Sequence, residues 1–164
     1  MNGNDLAILY EFSYVALNRN LKDLTHADSL LIPELGGNCI NWVLGHIIFV
    51  RGLLVLVTGA GAPLFSEAEL AAFGRGTAPL KPREDGVDLD RLKLALEDSQ
   101  NKLVPALLAL SDAALAADAP EKIKRPTVPE TMGGALARLC YHEGYHNGQI
   151  GILRRLAGKE GAIR

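Results

Sequence analysis

Two histidines and a glutamate near the end of the chain have the types and the spacing that metal chemistry needs. His142, Glu143 and His146 fit the zinc-protease pattern H-E-x-x-H. Histidines at i and i+4 share one face of a helix and can bind one ion there, while the glutamate can act on a metal-bound water. Five positions are a weak signal, so the surrounding sequence has to decide which chemistry applies.

The sequence after this motif lacks the third ligand that a zinc protease needs. Ile152 occupies the position at which a third histidine would follow, and the only later acidic residue, Glu160, comes after the predicted end of the helix. A histidine does occur upstream, at position 46. A protease-like hydrolase is therefore a remote alternative. The sequence instead predicts a metal site formed by His46, His142 and His146.

Three further residues are candidates for roles beside this site. Gln149 follows His146 by three positions, so its amide is predicted either to orient an imidazole or a bound water, or to bond to the backbone in the core. Trp42 precedes His46 by four positions and is predicted to be core filling, a pocket wall or both. Glu143 should point about 100° away from the histidine face. We therefore predict a surface carboxylate there, and only a weak candidate for a catalytic base.

Two other features are predicted to lie outside the site. His26 belongs to a polar connector and should be exposed. Gly144, Gly148 and Gly151 form a strip of small residues on the last helix, where each glycine costs roughly 1 kcal/mol relative to alanine. We expect another part of the molecule to approach this strip closely. A neighbouring helix of the same chain is the simple explanation, and a dimer partner is the alternative.

Four helical patterns can position the candidate residues. Apolar side chains recur at intervals of three and four residues in each pattern. No stretch shows the sustained alternation of apolar and polar residues that is typical of a strand. The predicted helices run from about Asn4 to Leu21, from an N-cap at Asn38 to about Thr58, onward from Asp88 or Asp90, and from residues 129–131 to just before Gly158.

These helices predict an all-α fold, a four-helix bundle in a single domain covering residues 1–164. The connection from Gly59 to Gly86 is too long for a tight hairpin, so it can cross the bundle and leave the second and third helices parallel, in an up-down-down-up arrangement. The three candidate ligands fall among the apolar positions of the second and fourth helices. Because a buried unpaired polar group costs roughly 1–3 kcal/mol, a shared cation is a simple way to satisfy these imidazoles.

Composition argues against nucleic acid and membrane as partners. The formal net charge is −2, and no segment concentrates Lys and Arg. The most apolar stretch, residues 40–57, contains Asn41, His46 and Arg51, so a buried bundle helix is predicted rather than a transmembrane one. The N-terminal residues lack the pattern of a secretory signal, and the only cysteines, Cys39 and Cys140, have no metal-site spacing. We therefore expect a cytoplasmic protein.

Two segments resemble one known family. N-C-I-N-W-V-L-G-H at 38–46 and H-E-G-Y-H-N-G-Q-I at 142–150 are similar to motifs of the DinB/YfiT superfamily, and residues 73–76 resemble its interhelical loop. The resemblance implies a four-helix bundle, often a homodimer, that binds a divalent metal such as nickel or zinc through three histidines. It also implies thiol chemistry, since characterised relatives include S-transferases and isomerases that use bacillithiol, mycothiol or glutathione.

The leading functional prediction is a divalent-metal-dependent enzyme acting on small molecules. Thiol-dependent S-transfer, or a related transferase or isomerase reaction, is the favoured class, with a low-molecular-weight thiol as cosubstrate. Nickel or zinc is favoured, while iron and manganese stay open because an all-histidine site accepts several first-row ions. The alternative from another class is a non-catalytic metal-binding module of a stress response.

Overall fold

The computed structural model describes residues 1–66, 68–69, 71–78, 80, 86–125 and 127–162. Within these ranges the regular structure is helical, apart from an isolated β-bridge between Asp118 and Thr131. The all-α prediction is therefore confirmed. The helices are α1 (Gly3–Leu21), α2 (His26–Ser29), α3 (Ile40–Val57), α4 (Leu89–Ala109), α5 (Asp112–Ala116) and α6 (Met132–Leu156), with a 3-10 turn at Ala71–Phe73.

The four predicted helices correspond to α1, α3, α4 and α6, and most of their starts have a capping side chain. The Asn2 side chain accepts a hydrogen bond from the Asp5 amide, and the caps of α4 and α6 are Asp88 and Thr131. Each cap satisfies an amide that has no partner within its helix. The N-cap of α3 is Cys39, whose side chain makes no such bond, so the prediction of a cap at Asn38 is wrong by one residue.

The long helices pack side by side around two hydrophobic clusters. Helix α1 packs against α4 and α6, and α3 packs against the same two helices. One cluster joins Leu44 of α3 to Leu92 of α4, both in the first half of their helices, and the other joins Leu54 to Leu103, both in the second half. This pairing is consistent with parallel α3 and α4, and the up-down-down-up arrangement stays a prediction. Part of the long connection between them, residues 67, 70, 79 and 81–85, lies outside the described residues.

Helix α3 belongs to the interior of the bundle. Among the described residues it is the one helix long and apolar enough to cross a membrane, but most of it is buried inside the protein. Its polar residues Asn41, His46 and Arg51 are buried as well. The prediction of a buried bundle helix is therefore confirmed.

Helix α6 is turned relative to the predicted core face. The spacing by three and four would place Leu156 on the same face as the histidines, but Leu156 is 58% exposed. Ala135, His146 and Leu153 of that face are buried, and so are Leu136, Glu143, Asn147 and Ile150. Because each residue advances the helix by about 100°, burial of these next positions places the histidines at the edge of the core. There they can face a cavity.

The glycine strip of α6 is open over most of its length. A Cβ built at Gly144 or Gly148 would meet no atom within 4 Å, whereas one at Gly151 would lie 3.5 Å from the Asn20 side chain. The expected close approach of a helix from the same chain is therefore wrong at the first two positions. The alternative, a second copy of the chain at this face, stays a prediction.

Candidate metal centre

The three predicted ligands come together between α3 and α6. His46 lies in the middle of α3, and His142 and His146 lie one turn apart on α6. One ring nitrogen from each residue lies within 4.8 Å of the others, so the three can hold a metal ion. Among the described residues, no fourth His, Cys, Asp or Glu joins this group. The remaining histidine, His26, is exposed in α2, as predicted.

The spacing of the nitrogens suits a single small ion. The Nε2 atoms of His142 and His146 are 3.1 Å apart, and the ring of His46 is centred 5.2 and 4.9 Å from theirs. Zinc–nitrogen bonds of about 2.0–2.1 Å place neighbouring ligand nitrogens roughly 2.8–3.4 Å apart in octahedral or tetrahedral geometry. Two bare Nε2 lone pairs at 3.1 Å repel each other unless a proton or a cation lies between them.

Hydrogen bonds to the opposite side of two rings orient their Nε2 atoms toward the centre. His46 Nδ1 lies 2.7 Å from the carbonyl oxygen of Phe73, and His146 Nδ1 lies 2.7 Å from Oε1 of Gln149. Both oxygens can only accept, so each Nδ1 carries the proton and each Nε2 keeps its lone pair. Metal-binding histidines commonly have such a partner, which fixes both tautomer and orientation. Of the two predicted roles of Gln149, contact with an imidazole is therefore the one that the structure has, rather than a backbone bond in the core.

Trp42 connects the His46 ring to the connection between α3 and α4. Its ring stacks on His46 with centroids 5.2 Å apart and an angle of 8° between the planes. Its Nε1 donates to the Ala72 carbonyl at 3.2 Å and to Oγ1 of Thr77 at 3.3 Å. Trp42 is also buried, so it packs in the core and forms a pocket wall at once.

Gly45 lets the 3-10 turn approach α3 at the level of His46. A Cβ at Gly45 would lie only 2.4 Å from the Phe73 ring. Real Cβ atoms do not approach so closely, and the Phe73 ring is itself buried. The absent side chain therefore lets Phe73 pack where its carbonyl reaches His46.

The electrostatic surroundings favour neutral imidazoles. Burial, followed by the nearby His146 and His46, lowers the pKa of His142 from its ordinary value to about 4. Burial is also the largest cause of the lowered pKa of His46 and of His146. A ligand has to be unprotonated to bind a metal, so at neutral pH all three rings are in the binding form.

Glu143 lies in the core, so its prediction as a surface carboxylate is wrong. Its Oε2 accepts from Arg51 Nε at 2.8 Å and its Oε1 accepts from Arg51 Nη2 at 2.7 Å. Ser13 Oγ donates to the same Oε1 at 2.5 Å, and Arg51 Nη1 donates to Oε1 of Gln100 at 2.8 Å. The Tyr10 ring lies 5.7 Å from the guanidinium carbon. We call these five residues the Arg51 cluster.

The prediction that Glu143 lies at the surface failed for a reason other than its 100° angle from the histidine face. Glu143 was placed at the surface because the histidine face was taken as the centre of the core. A signal for its true position exists in the sequence: Arg51 interrupts an apolar helix and needs a buried counterion, and Glu143 is the only acidic residue between Glu130 and Glu160. Because Arg51 and Ser13 occupy its carboxylate, Glu143 does not face the histidines as a protease base would.

A cavity of about 590 Å³ opens beside the three histidines. One wall is apolar and half-buried, and includes Phe49, Leu53 and Leu139. The other described lining residues are Trp42, Val50, Arg75, Gly76, Lys122, Ile123, Lys124, Arg138 and Tyr145, together with the histidines. The histidine cluster therefore borders a space of the size that small-molecule sites usually have.

The fold and the site together define a four-helix bundle in which three histidines from two helices could hold a metal ion. The family is shown by the sequence: residues 9–150 match the model of the DinB superfamily, and the chain belongs to that superfamily. The resemblance noted in the two histidine motifs is thereby confirmed.

A solved structure has the same fold. The conserved protein of a locus from Enterococcus faecalis superposes with a TM-score of 0.71 at 17% sequence identity, over 97% of this chain and 99% of that one. At this identity the likeness concerns the fold alone. No match was found among curated proteins.

Proposed function

We propose that the protein is a divalent-metal-dependent enzyme acting on small molecules, with His46, His142 and His146 as the metal ligands. One observation carries the proposal: ring nitrogens from α3 and α6 converge beside a cavity of about 590 Å³. Catalytic metal sites commonly have three protein ligands and a position left for water or substrate, whereas structural sites are closed by four. An ion that only fastened α3 to α6 would not need the cavity.

The nucleophile of the reaction is proposed to come from outside the chain. Among the described residues that line the cavity, none is Ser, Thr, Cys, Asp or Glu. An ion held by three neutral imidazoles keeps its positive charge and lowers the pKa of a thiol or water bound to it. We favour a thiol cosubstrate and S-transfer, a choice supported by membership of the DinB superfamily. Zinc or nickel is the favoured ion, with iron or manganese as alternatives.

The groups around the three histidines are proposed to orient the ligands and to exclude water. Gln149 and the Phe73 carbonyl hold the Nδ1 protons of His146 and His46, so that both Nε2 atoms stay available. Trp42 limits the rotation of His46 by stacking on it. The apolar lining residues Phe49, Leu53 and Leu139 would help to exclude water from the cavity.

Metal analysis of paired histidine variants tests the metal site. The purified wild type, His46→Ala and His26→Ala would each be loaded with zinc or nickel, desalted and assayed for metal content. His26 is exposed and outside the site, which makes its variant a matched control. We expect close to one equivalent of metal in the wild type and control and a large loss in His46→Ala. Equal metal content in all three would refute the site.

A turnover screen tests the reaction class separately. The metal-loaded wild type would be mixed with a panel of low-molecular-weight thiols and a chlorinated nitroaromatic, from which a thiolate displaces chloride as the carbon–sulfur bond forms. We expect metal-dependent chloride release with at least one thiol, and none in His46→Ala. A protein that binds metal but accelerates none of these reactions would contradict S-transfer and leave the metal site intact.

A further inference from the structure

The charged residues that line the cavity all have the same sign. They are Arg75, Lys122, Lys124 and Arg138, and no described lining residue is acidic. The chain as a whole has 17 basic and 19 acidic residues and a net charge of −2, so the composition does not account for this. A cleft lined by one sign of charge focuses its field and attracts ligands of the opposite sign.

Arg138 has a structural task within this group. Its Nε donates to Oε1 of Glu130 at 2.7 Å, and its Nη2 donates both to Oε2 of Glu130 at 2.8 Å and to the Ile123 carbonyl at 2.7 Å. Glu130 compensates its charge, while the bond to Ile123 holds the segment between Lys122 and Lys124 against α6. Arg138 therefore positions this segment, including Lys124, beside the cavity.

Lys124 and Arg75 approach the cavity from different segments. Lys124 comes from the segment held by Arg138. Its Nζ lies 3.6 Å from Oε1 of Glu121, whose side chain is 91% exposed. Such a solvent-exposed ion pair contributes little, so a ligand can replace it at small cost. Arg75 is exposed and follows the 3-10 turn whose Phe73 carbonyl contacts His46. Positive side chains from two separate segments thus line the cavity together with an apolar wall.

We propose that this cavity binds small molecules that combine an apolar body with one carboxylate or phosphate group. The anionic group is held between Arg75 and Lys124, and the apolar body packs against Phe49, Leu53 and Leu139. The inference rests on the proposed function because it assigns a substrate class to the same cavity. Lys and Arg form charge-assisted hydrogen bonds with both kinds of anion. The lining should therefore accept either a carboxylate or a phosphate.

Trp42 provides a direct readout of binding. It is the single tryptophan of the chain and lines the cavity, so its fluorescence should change when the cavity fills. Phenylbutyrate and phenylbutanamide share one apolar body but differ in charge, and phenyl propyl phosphate extends the comparison to a phosphate. Each probe would be titrated into the metal-free and the zinc-loaded protein at constant ionic strength, since salt screens exposed charges.

Two double variants that remove the same amount of charge distinguish the effect of the cavity residues from that of the protein's overall charge. The test variant is Arg75→Gln with Lys124→Gln, and the control is Arg19→Gln with Lys93→Gln, which removes the same residue types from outside the cavity lining. In the metal-free wild type we expect phenylbutyrate to bind about 10-fold tighter than the amide, as a charged hydrogen bond provides. The preference should fall to near unity in the test variant and persist in the control.

The outcomes distinguish this inference from the metal proposal. A metal-free wild type that binds the amide as well as the carboxylate, or a preference equal in both double variants, would overturn the anion site. A preference present only with zinc bound would also overturn it, because the anion would then be bound by the ion. Loss of metal binding in His46→Ala with the anion preference retained in the metal-free protein would support the subsite while confirming that it is separate from the metal ligands.

Discussion

Two polar clusters lie about one helical turn apart in the same bundle and are completed in different ways. The Arg51 cluster takes side chains from all four long helices, and the carboxylate of Glu143 and the guanidinium of Arg51 bond to each other within it. The histidine cluster takes side chains from α3 and α6 only, and its Nε2 atoms face each other beside a cavity. The charges of the first cluster are paired within the protein, although the buried Nε2 of Gln100 has no hydrogen-bond partner among the described residues. The second cluster needs a proton or an ion.

The difference between the two clusters indicates how a bundle can hold a binding site without losing its packing. Glu143 is the immediate neighbour of His142, and Arg51 lies five residues after His46. The ion pair therefore fixes α3 relative to α6 within about a turn of the ligands. We infer that the Arg51 cluster supports the helix positions and that the histidine cluster supplies the chemistry. Four experiments can separate these roles.

The largest effect is expected from opening the Arg51 cluster. Glu143→Leu leaves the fully buried Arg51 without a counterion, which should destabilise the fold by about 3–5 kcal/mol in urea unfolding. Glu69→Leu is the control, since its ion pair with Arg91 is exposed and should contribute little. The double variant Arg51→Met with Glu143→Leu should recover most of the loss. Equal instability of the single and double variants would show that the ion pair is not the cause.

The next effect concerns the ion at the histidine cluster. Zinc at 100 times its dissociation constant should raise the free energy of unfolding by about 2.7 kcal/mol, because it binds the folded state. Thermal unfolding with zinc, and then with a chelator, measures this gain and its reversal. His146→Ala should abolish the gain. A zinc-dependent shift of the same size in that variant would place the ion elsewhere.

A smaller effect is expected from the partner of the ligand imidazole. Gln149→Ala removes the acceptor of the His146 Nδ1 proton and should weaken zinc binding roughly 10–100-fold. Gln149→Glu keeps an acceptor oxygen and should bind zinc more tightly than the alanine variant. Gln100→Ala, in the Arg51 cluster, should lower stability but leave zinc affinity unchanged. Competition with a chromophoric chelator measures the zinc affinity of all three variants. Weaker zinc binding by Gln100→Ala would mean that the two clusters are coupled.

The smallest effect is expected at the open glycine strip. Gly148→Ala meets no atom within 4 Å, so it should stabilise the protein by up to about 1 kcal/mol through helix propensity. Gly45→Ala should instead destabilise it, because its Cβ would overlap the Phe73 ring. Urea unfolding at low protein concentration measures both. A destabilised Gly148→Ala would indicate that something packs on this face.

The sequence predicted the histidine cluster because its signal is local and chemical. Spacing by four puts His142 and His146 on one face, and a polar residue among apolar neighbours in α3 marks His46. The core face of α6 was less predictable, since several stripes one residue apart contain enough apolar side chains. Packing by α1 and α3 selects among them, and that selection placed Glu143 inside.

The cavity charges could not be predicted from spacing at all. Arg75 and Lys124 belong to irregular segments whose positions depend on tertiary contacts, such as the bond from Arg138 to the Ile123 carbonyl. The start of α3 at Cys39 rather than Asn38 is a smaller error of the same origin, because helix ends are specified only to within a residue or two.

The hydrogen bond from His46 to the Phe73 carbonyl makes the connection between α3 and α4 part of the histidine site. A change within residues 71–77 shifts the backbone oxygen that holds His46 and the groups that hold Trp42. Substitutions in this loop can therefore reorient His46 without replacing any of the three histidines.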